Sequence, residues 1–299
     1  MTMLITGAKG QLGNELTKIL GEGTSELGVL PLFYAQSKVI SIDVDELDIT
    51  DLPLVLSFFS RYTPDLVFNC AAMTNVDGCE TDEEAAYQVN ALGPKNLAIA
   101  CEQYGSRLLH VSTDYVFSGD GSSPYKESDE PSPNTAYGRT KLAGEGFVLS
   151  HSSNSCVCRT AWLYGYVGNN FVKTMLRLAR EKGTLTVVND QVGNPTSAVD
   201  LAYQLLLLGA STEKGIFHCT CSGEPVSWFD FASRIVSVAG IDIPVHGCST
   251  AEFPRPALRP AYSALDNSRL RSTIGDSMRD WNVALDSFME KYLILEHVQ

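Results

Sequence analysis

Basic residues are scarce in this sequence relative to acidic ones. Its 299 residues include 22 Lys and Arg against 35 Asp and Glu, so the formal net charge is −13 at pH 7. Proteins that bind the phosphate backbone of nucleic acids concentrate Lys and Arg on one face to neutralise it. The charge balance therefore predicts that nucleic acid is not a partner.

Long hydrophobic runs are missing as well. The N-terminal residues 1–7 lead directly into a glycine-rich turn, without the basic segment and apolar stretch of a secretory signal. The longest later apolar run, around Leu205 to Leu208, is far shorter than the roughly 20 residues that a membrane-spanning helix needs. We expect a cytoplasmic protein that has no membrane partner.

The eight cysteines form no Cys-x-x-Cys pair and are scattered from Cys70 to Cys248. Two Cys-x-Cys pairs, at residues 156–158 and 219–221, fall in strand-like runs. Such residues are most often buried reduced thiols, and a metal site is the less favoured alternative. The sequence also shows no internal repeat, low-complexity tract or linker.

The clearest positive signal is a strand, a glycine-rich turn and a helical pattern over residues 11–20, in that order. Glycines at positions 7, 10 and 13 allow the backbone to pass close to a pyrophosphate, whose charge is met by amides at the helix N-terminus. This order predicts a dinucleotide site. A tight turn without a ligand is the alternative that the spacing alone leaves open.

A second strand is predicted at Val39 to Asp43, after a Gly- and Ser-rich surface excursion over residues 21–37. Asp43 stands at the strand end, where a carboxylate can accept hydrogen bonds from the adenosine ribose hydroxyls. Asp48 and Ile49 follow at positions where they can line the adenine pocket.

Two further strands end in residues suited to a ligand site. Leu66 to Ala71 is a continuous apolar run, typical of a parallel strand buried on both faces, and the small residues that follow it leave room for a cofactor. Leu108 to Ser112 is the next strand. Thr113 comes directly after it, at the strand end where open α/β sheets place ligands, although a simple turn residue is the alternative.

Tyr137 and Lys141 are four residues apart in a segment with a helical pattern, so they share one helical face. A phenol has an ordinary pKa of about 10, and an ammonium beside it favours the phenolate. We expect this pair to carry acid–base chemistry. The pair Tyr34 and Lys38 has the same spacing, so context and not spacing distinguishes the two.

Strands that alternate with helices predict an α/β fold with a Rossmann-type, doubly wound parallel sheet and a smaller C-terminal substrate lobe. We assign residues 1–165 to a dinucleotide-binding domain, to which later segments return. Residues 166–299 form mainly the substrate lobe, interwoven with the first part.

These features together resemble the extended short-chain dehydrogenase/reductases. Residues 112–117, 137–145, 159–164, 168–177 and 189–196 are similar to the dTDP-4-dehydrorhamnose reductase family within that superfamily, and the similarity spans nearly the whole chain. The resemblance implies reduction of the C4 ketone of dTDP-4-dehydro-L-rhamnose to dTDP-L-rhamnose by NADH or NADPH. It implies that Tyr137 donates the proton, Lys141 holds the nicotinamide ribose and tunes Tyr137, and Thr113 hydrogen-bonds the reacting oxygen.

The resemblance also implies the residues that contact each ligand. Those expected to bind the cofactor are Gly7, Gly10, Gln11, Leu12, Gly13, Asp43, Asp48, Ile49, Ala71, Ala72, Met73, Tyr137 and Lys141. Those expected to bind the nucleotide sugar are Thr74, Thr113, Asp114, Tyr137, Trp162 and Arg259. Arg259 is expected to pair with the substrate diphosphate. Core packing is the alternative for Trp162.

NADH is the expected cofactor, because a carboxylate at Asp43 repels a 2′-phosphate by about 1 to 4 kcal/mol at a separation of about 4 Å. No Arg follows Asp43 to offset this repulsion.

Two alternatives of other classes remain open. One is a nucleotide-sugar epimerase or dehydratase of the same fold. Dehydratases usually carry a further acidic residue after the catalytic Thr, whereas here Asp114 is followed by Tyr115. The other is a non-catalytic regulatory subunit that binds the cofactor, since a relative serves methionine adenosyltransferase in that way. The intact Thr113, Tyr137 and Lys141 favour catalysis.

Some relatives bind magnesium through carboxylates at a dimer interface. Glu15 matches one of those positions, but Val199 stands at another, and its hydrocarbon side chain cannot coordinate a hard cation. We interpret Glu15 as a solvated carboxylate near a helix N-terminus. We therefore expect no metal requirement, and either a monomer or a homodimer.

Overall fold

The structure is a computed structural model that describes residues 1–298, with side chains described through residue 296. The strands are β1 Thr2–Thr6, β2 Thr24–Ser25, β3 Gly28–Val29, β4 Lys38–Ile42, β5 Leu66–Asn69, β6 Arg107–Thr113, β7 Ser155–Thr160, β8 Leu163–Tyr164, β9 Leu185–Val188, β10 Val192–Gly193, β11 Thr196–Ser197, β12 Gly215–His218, β13 Val226–Ser227 and β14 Val245–Cys248. The α-helices are α1 Gln11–Glu22, α2 Leu52–Tyr62, α3 Val76–Thr81, α4 Glu83–Tyr87, α5 Gly93–Tyr104, α6 Ala136–His151, α7 Phe171–Lys182, α8 Ala198–Ala210, α9 Trp228–Val238, α10 Ser268–Thr273 and α11 Trp281–Val298.

Six of these strands form one parallel sheet in the order β12-β7-β6-β5-β1-β4. The chain goes from β1 to β4 on one side, and then adds β5, β6, β7 and β12 on the other side. This reversal places a crevice at the carboxyl end of β1, where α/β folds bind ligands. The predicted doubly wound parallel sheet is confirmed.

Helices cover both faces of the sheet because its strands are buried on both sides. In β1, Met3 and Ile5 pack into one core, which also contains residues of α1 and α8, whereas Leu4 packs into a second core with α2 and α5. All three side chains are completely buried. Alternation along a strand sends successive side chains to opposite faces, which explains why one short apolar run contributes to two cores.

The helical pattern over residues 81–104 is broken in the structure and does not form one helix. The Asp82 side chain accepts a hydrogen bond from the Ala85 amide at 2.9 Å and so begins a separate helix, α4. A π-helical turn at Gln88–Leu92 then precedes α5. Asn90 lies in this turn and is completely buried.

The excursion over residues 21–37 forms a small hairpin, β2 and β3, followed by a 3-10 turn at Leu32–Tyr34. Leu32 is 90% exposed, as expected for a surface segment. Tyr34, however, is buried, and its hydroxyl donates a hydrogen bond to the Leu206 carbonyl at 2.6 Å. Tyr34 and Lys38 therefore do not share a helical face, because one lies in the turn and the other begins β4.

The second half of the chain is woven into the first. Strand β12 returns to the edge of the main sheet beside β7, while β8, β9 and β10 pair in separate two-stranded sheets with β11, β14 and β13. The predicted division of the chain at residue 165 stays a prediction. Within the described residues, no helix is long and apolar enough to cross a membrane.

All eight cysteines are free thiols in the structure. Six are buried, and Cys70 and Cys248 are half-buried. The interpretation of the cysteines as mostly buried thiols is therefore confirmed.

Candidate active site

A cleft of about 910 Å³ opens along the carboxyl edge of the sheet. It is lined by every residue that the sequence predicted for cofactor binding and by five of the six predicted for the substrate: Gly7, Gly10, Gln11, Leu12, Gly13, Asp43, Asp48, Ile49, Ala71, Ala72, Met73, Thr74, Thr113, Asp114, Tyr137, Lys141 and Trp162. Arg259 does not line the cleft. Residues more than a hundred positions apart in the sequence thus meet in one depression.

The glycine turn at one end of the cleft has no room for side chains. Gly7 has φ +67°, and a Cβ there would lie 2.7 Å from the Ala71 amide nitrogen. A Cβ on Gly13 would lie 2.3 Å from the Gly7 carbonyl oxygen. No described side chain caps α1 at Gly10, so the amides of its first turn face the cleft and can bind an anion. This arrangement fits a dinucleotide pyrophosphate.

We expect Gly13→Ala to weaken cofactor binding at least about tenfold and to destabilise the fold by about 1 to 3 kcal/mol, because the added methyl group overlaps backbone atoms. Gly21→Ala is the matched control in the same helix, since a Cβ there meets nothing within 4 Å. It should leave affinity unchanged and stabilise α1 by about 0.5 to 1 kcal/mol. Titration of NADH fluorescence and thermal unfolding measure both effects, and equal affinities of the two variants would contradict the close approach.

Asp43 follows β4 and lies at the rim of the cleft. Its carboxylate accepts hydrogen bonds from the Lys9 amide at 3.0 Å and the Val44 amide at 2.9 Å. The Lys9 ammonium pairs with Asp45 and also lines the cleft. The sequence analysis missed Lys9, although a basic residue between the first two glycines of the turn was the available signal.

The loop after β5 is fixed from behind by Asn90. The Asn90 side chain accepts a hydrogen bond from the Met73 amide at 2.9 Å and donates one to the Met73 carbonyl at 3.0 Å. Asn90 lies in the π-helical turn at Gln88–Leu92. The two bonds hold residues 71–74 as a wall of the cleft.

Thr113, Tyr137 and Lys141 meet at the middle of the cleft. Thr113 ends β6, and α6 begins at the Thr135 cap, whose hydroxyl accepts a hydrogen bond from the Gly138 amide at 3.0 Å. A Cβ on Gly138 would lie 2.2 Å from the Tyr115 carbonyl oxygen, so α6 approaches the loop after β6 more closely than another residue would allow. The close approach places the Tyr137 phenol beside the Thr113 hydroxyl.

The protonation of the pair differs from the sequence-based expectation. Burial raises the pKa of Tyr137 above its ordinary value, and the interaction with Thr113 only partly opposes this effect. Lys141 is not among the groups that shift the Tyr137 pKa. Its ammonium donates a hydrogen bond to the Val111 carbonyl at 2.6 Å. Burial lowers the pKa of Lys141 to about 8, against an opposing effect of Glu145. Tyr137 is therefore a neutral phenol at pH 7, which is the form that can donate a proton.

Asp114 is a buried carboxyl group that faces the cleft. Thr113 donates a hydrogen bond to its Oδ1 at 2.9 Å, while Oδ2 has no hydrogen-bond partner among the described residues. Burial raises the pKa of Asp114 to about 6, although the nearby Ser263 hydroxyl and the hydrogen bond from Thr113 lower it. The free oxygen is available to a hydroxyl group of a bound ligand.

Two stacked tryptophans border the other end of the cleft. The ring centroids of Trp162 and Trp228 are 3.4 Å apart, and their planes differ by 5°. Trp162 has φ +47°, a conformation that costs about 1 to 3 kcal/mol and persists where the surroundings impose it. Both rings line the cleft and are half-buried, so Trp162 is not simply core packing. The sequence analysis did not predict Trp228, whose only signal was its position at the start of α9.

Arg259 lies away from the cleft lining and pairs with Asp77. The distance between its guanidinium and the Asp77 carboxylate is 2.9 Å, and the other Asp77 oxygen accepts a hydrogen bond from the Ala257 amide at 3.1 Å. Arg259 also lowers the pKa of Tyr115, which lines the cleft, although burial and Asp114 raise that pKa by more. Its contact with a substrate diphosphate stays a prediction and requires exchange of the Asp77 partner.

The interpretation of Glu15 as a solvated carboxylate is wrong. Glu15 is 4% exposed, and burial raises its pKa, against an opposing effect of Lys18 at 3.5 Å. The amphipathic face of α1 turns this residue inward among residues of the core. Val199 is also buried. No group of three or more His, Cys, Asp or Glu among the described residues could hold a metal ion. Independence from metal stays a prediction.

Comparisons with known proteins cover nearly the whole chain. A family model described as the RmlD substrate binding domain matches residues 1–294. A dTDP-4-dehydrorhamnose reductase of Aggregatibacter actinomycetemcomitans is 41% identical over 296 residues, which cover 95% of this chain and 96% of that protein.

Solved structures agree with the sequence match. A dTDP-4-dehydrorhamnose reductase of Clostridium acetobutylicum has a TM-score of 0.92 at 47% identity and covers 98% of this chain and 100% of its own. A reductase of the same name from Bacillus anthracis, solved in complex with NADP, has a TM-score of 0.89 at 38% identity, with coverage of 97% and 99%.

Proposed function

The chain belongs to the RmlD substrate binding domain family, and from that premise we propose that it reduces the C4 ketone of dTDP-4-dehydro-L-rhamnose to give dTDP-L-rhamnose. The observation that carries the proposal is the joint placement of Thr113, Tyr137 and Lys141 in one cleft with the glycine turn. The protein is then an oxidoreductase that uses NADH or NADPH. A cytoplasmic location belongs to the proposal.

The cleft suits a nicotinamide dinucleotide that lies along the sheet edge. The turn at Gly7 to Gly13 would hold the pyrophosphate, and Asp43 would hold the adenosine ribose. When bound, the reduced nicotinamide supplies the hydride. Lys141 would hold the nicotinamide ribose, and residues 71–74 would form the wall beside it.

The remaining residues position the sugar and supply the proton. The Thr113 hydroxyl, which donates to Asp114 Oδ1 in the structure, would turn to donate to the ketone oxygen. The neutral Tyr137 phenol donates its proton to that oxygen as negative charge develops. Asp114 accepts a hydrogen bond from a sugar hydroxyl through its free Oδ2. The face of Trp162, held by its stack on Trp228, packs against the apolar side of the sugar ring. Packing leaves Thr113, Tyr137 and Lys141 each at most 9% exposed, so these three groups are largely shielded from solvent.

Mixing purified protein with NADH and the keto sugar tests the proposal. Oxidation of one NADH for each dTDP-rhamnose formed supports it. Conversion of the sugar without net NADH oxidation would indicate the epimerase or dehydratase alternative. Tight cofactor binding without any conversion would indicate the non-catalytic subunit, and sedimentation of the same sample would distinguish a monomer from a homodimer.

The choice between NADH and NADPH depends on two opposed charges at the rim. Asp43 disfavours a 2′-phosphate, whereas the Lys9 ammonium, which pairs with Asp45, can turn towards one. We keep NADH as the favoured cofactor because Asp43 is also fixed by the Lys9 amide. A lower kcat/KM for NADH than for NADPH would contradict this preference.

Replacing Lys9 by Ala isolates its contribution. We expect kcat/KM for NADPH to fall about tenfold and kcat/KM for NADH to change less than about threefold, because only NADPH presents a phosphate to this side chain. The NADPH effect should shrink as salt concentration rises, since Lys9 is solvent-exposed. Equal losses with both cofactors would instead show that the substitution disturbs the glycine turn.

A further inference from the structure

A buried ion pair lies behind the proposed catalytic residues. The Arg159 guanidinium donates to Glu145 with Nε–Oε1 of 2.9 Å and Nη2–Oε2 of 2.7 Å. Arg159 is 1% exposed and Glu145 is 2% exposed. The two parallel bonds make a bidentate pair, the geometry in which Arg fixes a carboxylate most rigidly.

The pair adjoins Lys141. Glu145 follows Lys141 by one helical turn on α6, so both side chains lie on the same helical face. Arg159 lies on β7 opposite Ser112 of β6, and Lys141 donates its hydrogen bond to the Val111 carbonyl of that same strand. The charged groups between α6 and the sheet are therefore arranged in the order Lys141 ammonium, Glu145 carboxylate and Arg159 guanidinium.

Stability alone does not account for this arrangement. Replacing a buried ion pair by apolar residues of similar volume is often neutral or stabilising, because both charges must leave water. The site also leaves Arg159 Nη1 without a hydrogen-bond partner among the described residues. A buried pair that is incompletely satisfied and adjoins a catalytic cation suggests an electrostatic role.

We propose that Glu145, held in place by Arg159, is a positioning residue that keeps the buried Lys141 in its charged form. This inference rests on the proposed function of Lys141. Burial disfavours the ammonium, and the Glu145 carboxylate opposes that effect. Arg159 acts through Glu145, because it fixes the carboxylate at the position where it faces the ammonium.

The other groups that face Lys141 cannot substitute for Glu145. Burial raises the pKa of the Cys70 thiol to about 12, so this thiol carries no charge at neutral pH. His110 of β6 is buried and its pKa is lowered well below the ordinary value, by burial first and by Lys141 second, so it is neutral. Tyr137 on the same helix is a neutral phenol, and Arg159 on β7 is a cation. Glu145 is thus the carboxylate that balances the ammonium within the described part of the chain.

The test is the pH profile of the Glu145→Gln variant. With saturating NADH, kcat/KM for the keto sugar should fall at high pH as Lys141 loses its proton. In the variant this alkaline limb should move to lower pH by about one unit or more, which is a loss of about tenfold at a pH above the limb. The pH dependence of the Kd for NADH should shift in the same direction and supplies a readout that is independent of turnover.

Two further variants separate an electrostatic role from a structural one. Glu83→Gln removes the partner of Arg139, another ion pair of α6 that is solvent-exposed, and should leave the limb in place. Glu145→Gln combined with Arg159→Met replaces both buried charges by neutral groups and so avoids an unpaired guanidinium. In the double variant the alkaline limb of the pH profile should shift to lower pH by the same amount. If the single variant does not fold, the double variant decides whether Glu145 has an electrostatic role.

An unchanged alkaline limb in the Glu145 variants, with only a lower melting temperature, would overturn the inference. Failure of the wild-type protein to reduce the keto sugar would count against the proposed function instead. In that case the pH dependence of NADH binding still decides the role of Glu145.

Discussion

Tyr137→Phe is expected to lower kcat at least about a hundredfold while NADH affinity changes less than about threefold. The substitution removes only the phenolic oxygen, so the ring keeps its packing against Tyr115, at a centroid distance of 5.5 Å. General acid catalysis contributes two to four decades in typical enzymes, and in the proposed reaction the proton comes from this oxygen. Stopped-flow or steady-state measurement of NADH oxidation gives kcat, and fluorescence titration gives the Kd.

A matched control is available in the same chain. Tyr34 has the same spacing to a lysine as Tyr137, but its hydroxyl donates a hydrogen bond to the Leu206 carbonyl, and Tyr34 does not line the cleft. Tyr34→Phe should leave turnover unchanged and cost about 1 kcal/mol of stability, the usual contribution of one hydrogen bond. Near-normal turnover of Tyr137→Phe would remove Tyr137 from the mechanism, whatever the behaviour of the control.

The pair of tyrosines also shows which part of the site could be predicted from sequence. The glycine turn, the strand that ends at Thr113 and the helix that carries Tyr137 are local patterns, and the parallel sheet brings their ends together. The position of Tyr34 depends on a hairpin and on a contact with α8, more than 170 residues away. Spacing alone cannot distinguish an active pair from an incidental one, because that difference is tertiary.

The wrong expectations for Lys141 and Glu15 also arise from tertiary structure. The expectation that Lys141 lowers the Tyr137 pKa assumed that the ammonium points at the phenol, whereas in the structure it binds the Val111 carbonyl and burial dominates both groups. Glu15 looked solvated because it lies early in a helix, but the buried face of α1 includes it. Burial of a charged group depends on which surface covers a helix, and one helix cannot show this.

Trp228 and Arg159 were overlooked for a related reason. Each acts through a partner that is distant in sequence: Trp228 stacks on Trp162, and Arg159 binds Glu145. A single aromatic or basic residue carries no signal of its partner. Residues that contact ligands follow local motifs, whereas residues that support them are recognised only once the chain is folded.

Lys141→Met is expected to abolish most activity without destabilising the fold. We expect kcat/KM for the keto sugar to fall at least about a hundredfold, because the variant loses the group that holds the nicotinamide ribose and orients the cofactor beside Tyr137. The alkaline limb of the pH profile should vanish if Lys141 is the group that titrates there. Lys95→Met, which removes a cation that lies over the Phe147 ring, should leave both activity and profile unchanged.

The stability of Lys141→Met follows from the pKa of the buried lysine. The pKa of Lys141 is lowered by burial from 10.5 to about 8, so the folded protein binds this proton less tightly than the unfolded chain does. Burying the charged Lys141 therefore lowers the free energy of unfolding. This destabilisation is fully present below about pH 8 and disappears as the pH rises towards 10.5. The difference between these two pKa values corresponds to about 3 kcal/mol of stability that Lys141→Met regains. The variant also loses the hydrogen bond to the Val111 carbonyl, which offsets about 1 kcal/mol of that gain.

At pH 7 the variant should therefore be more stable than the wild-type protein by about 2 kcal/mol, and at pH 10 the two should be nearly equal. Urea unfolding at both pH values measures this difference. A variant that is inactive and less stable at pH 7 would show that Lys141 serves the fold. A variant that is inactive and more stable would show that the protein keeps a costly buried cation for the reaction.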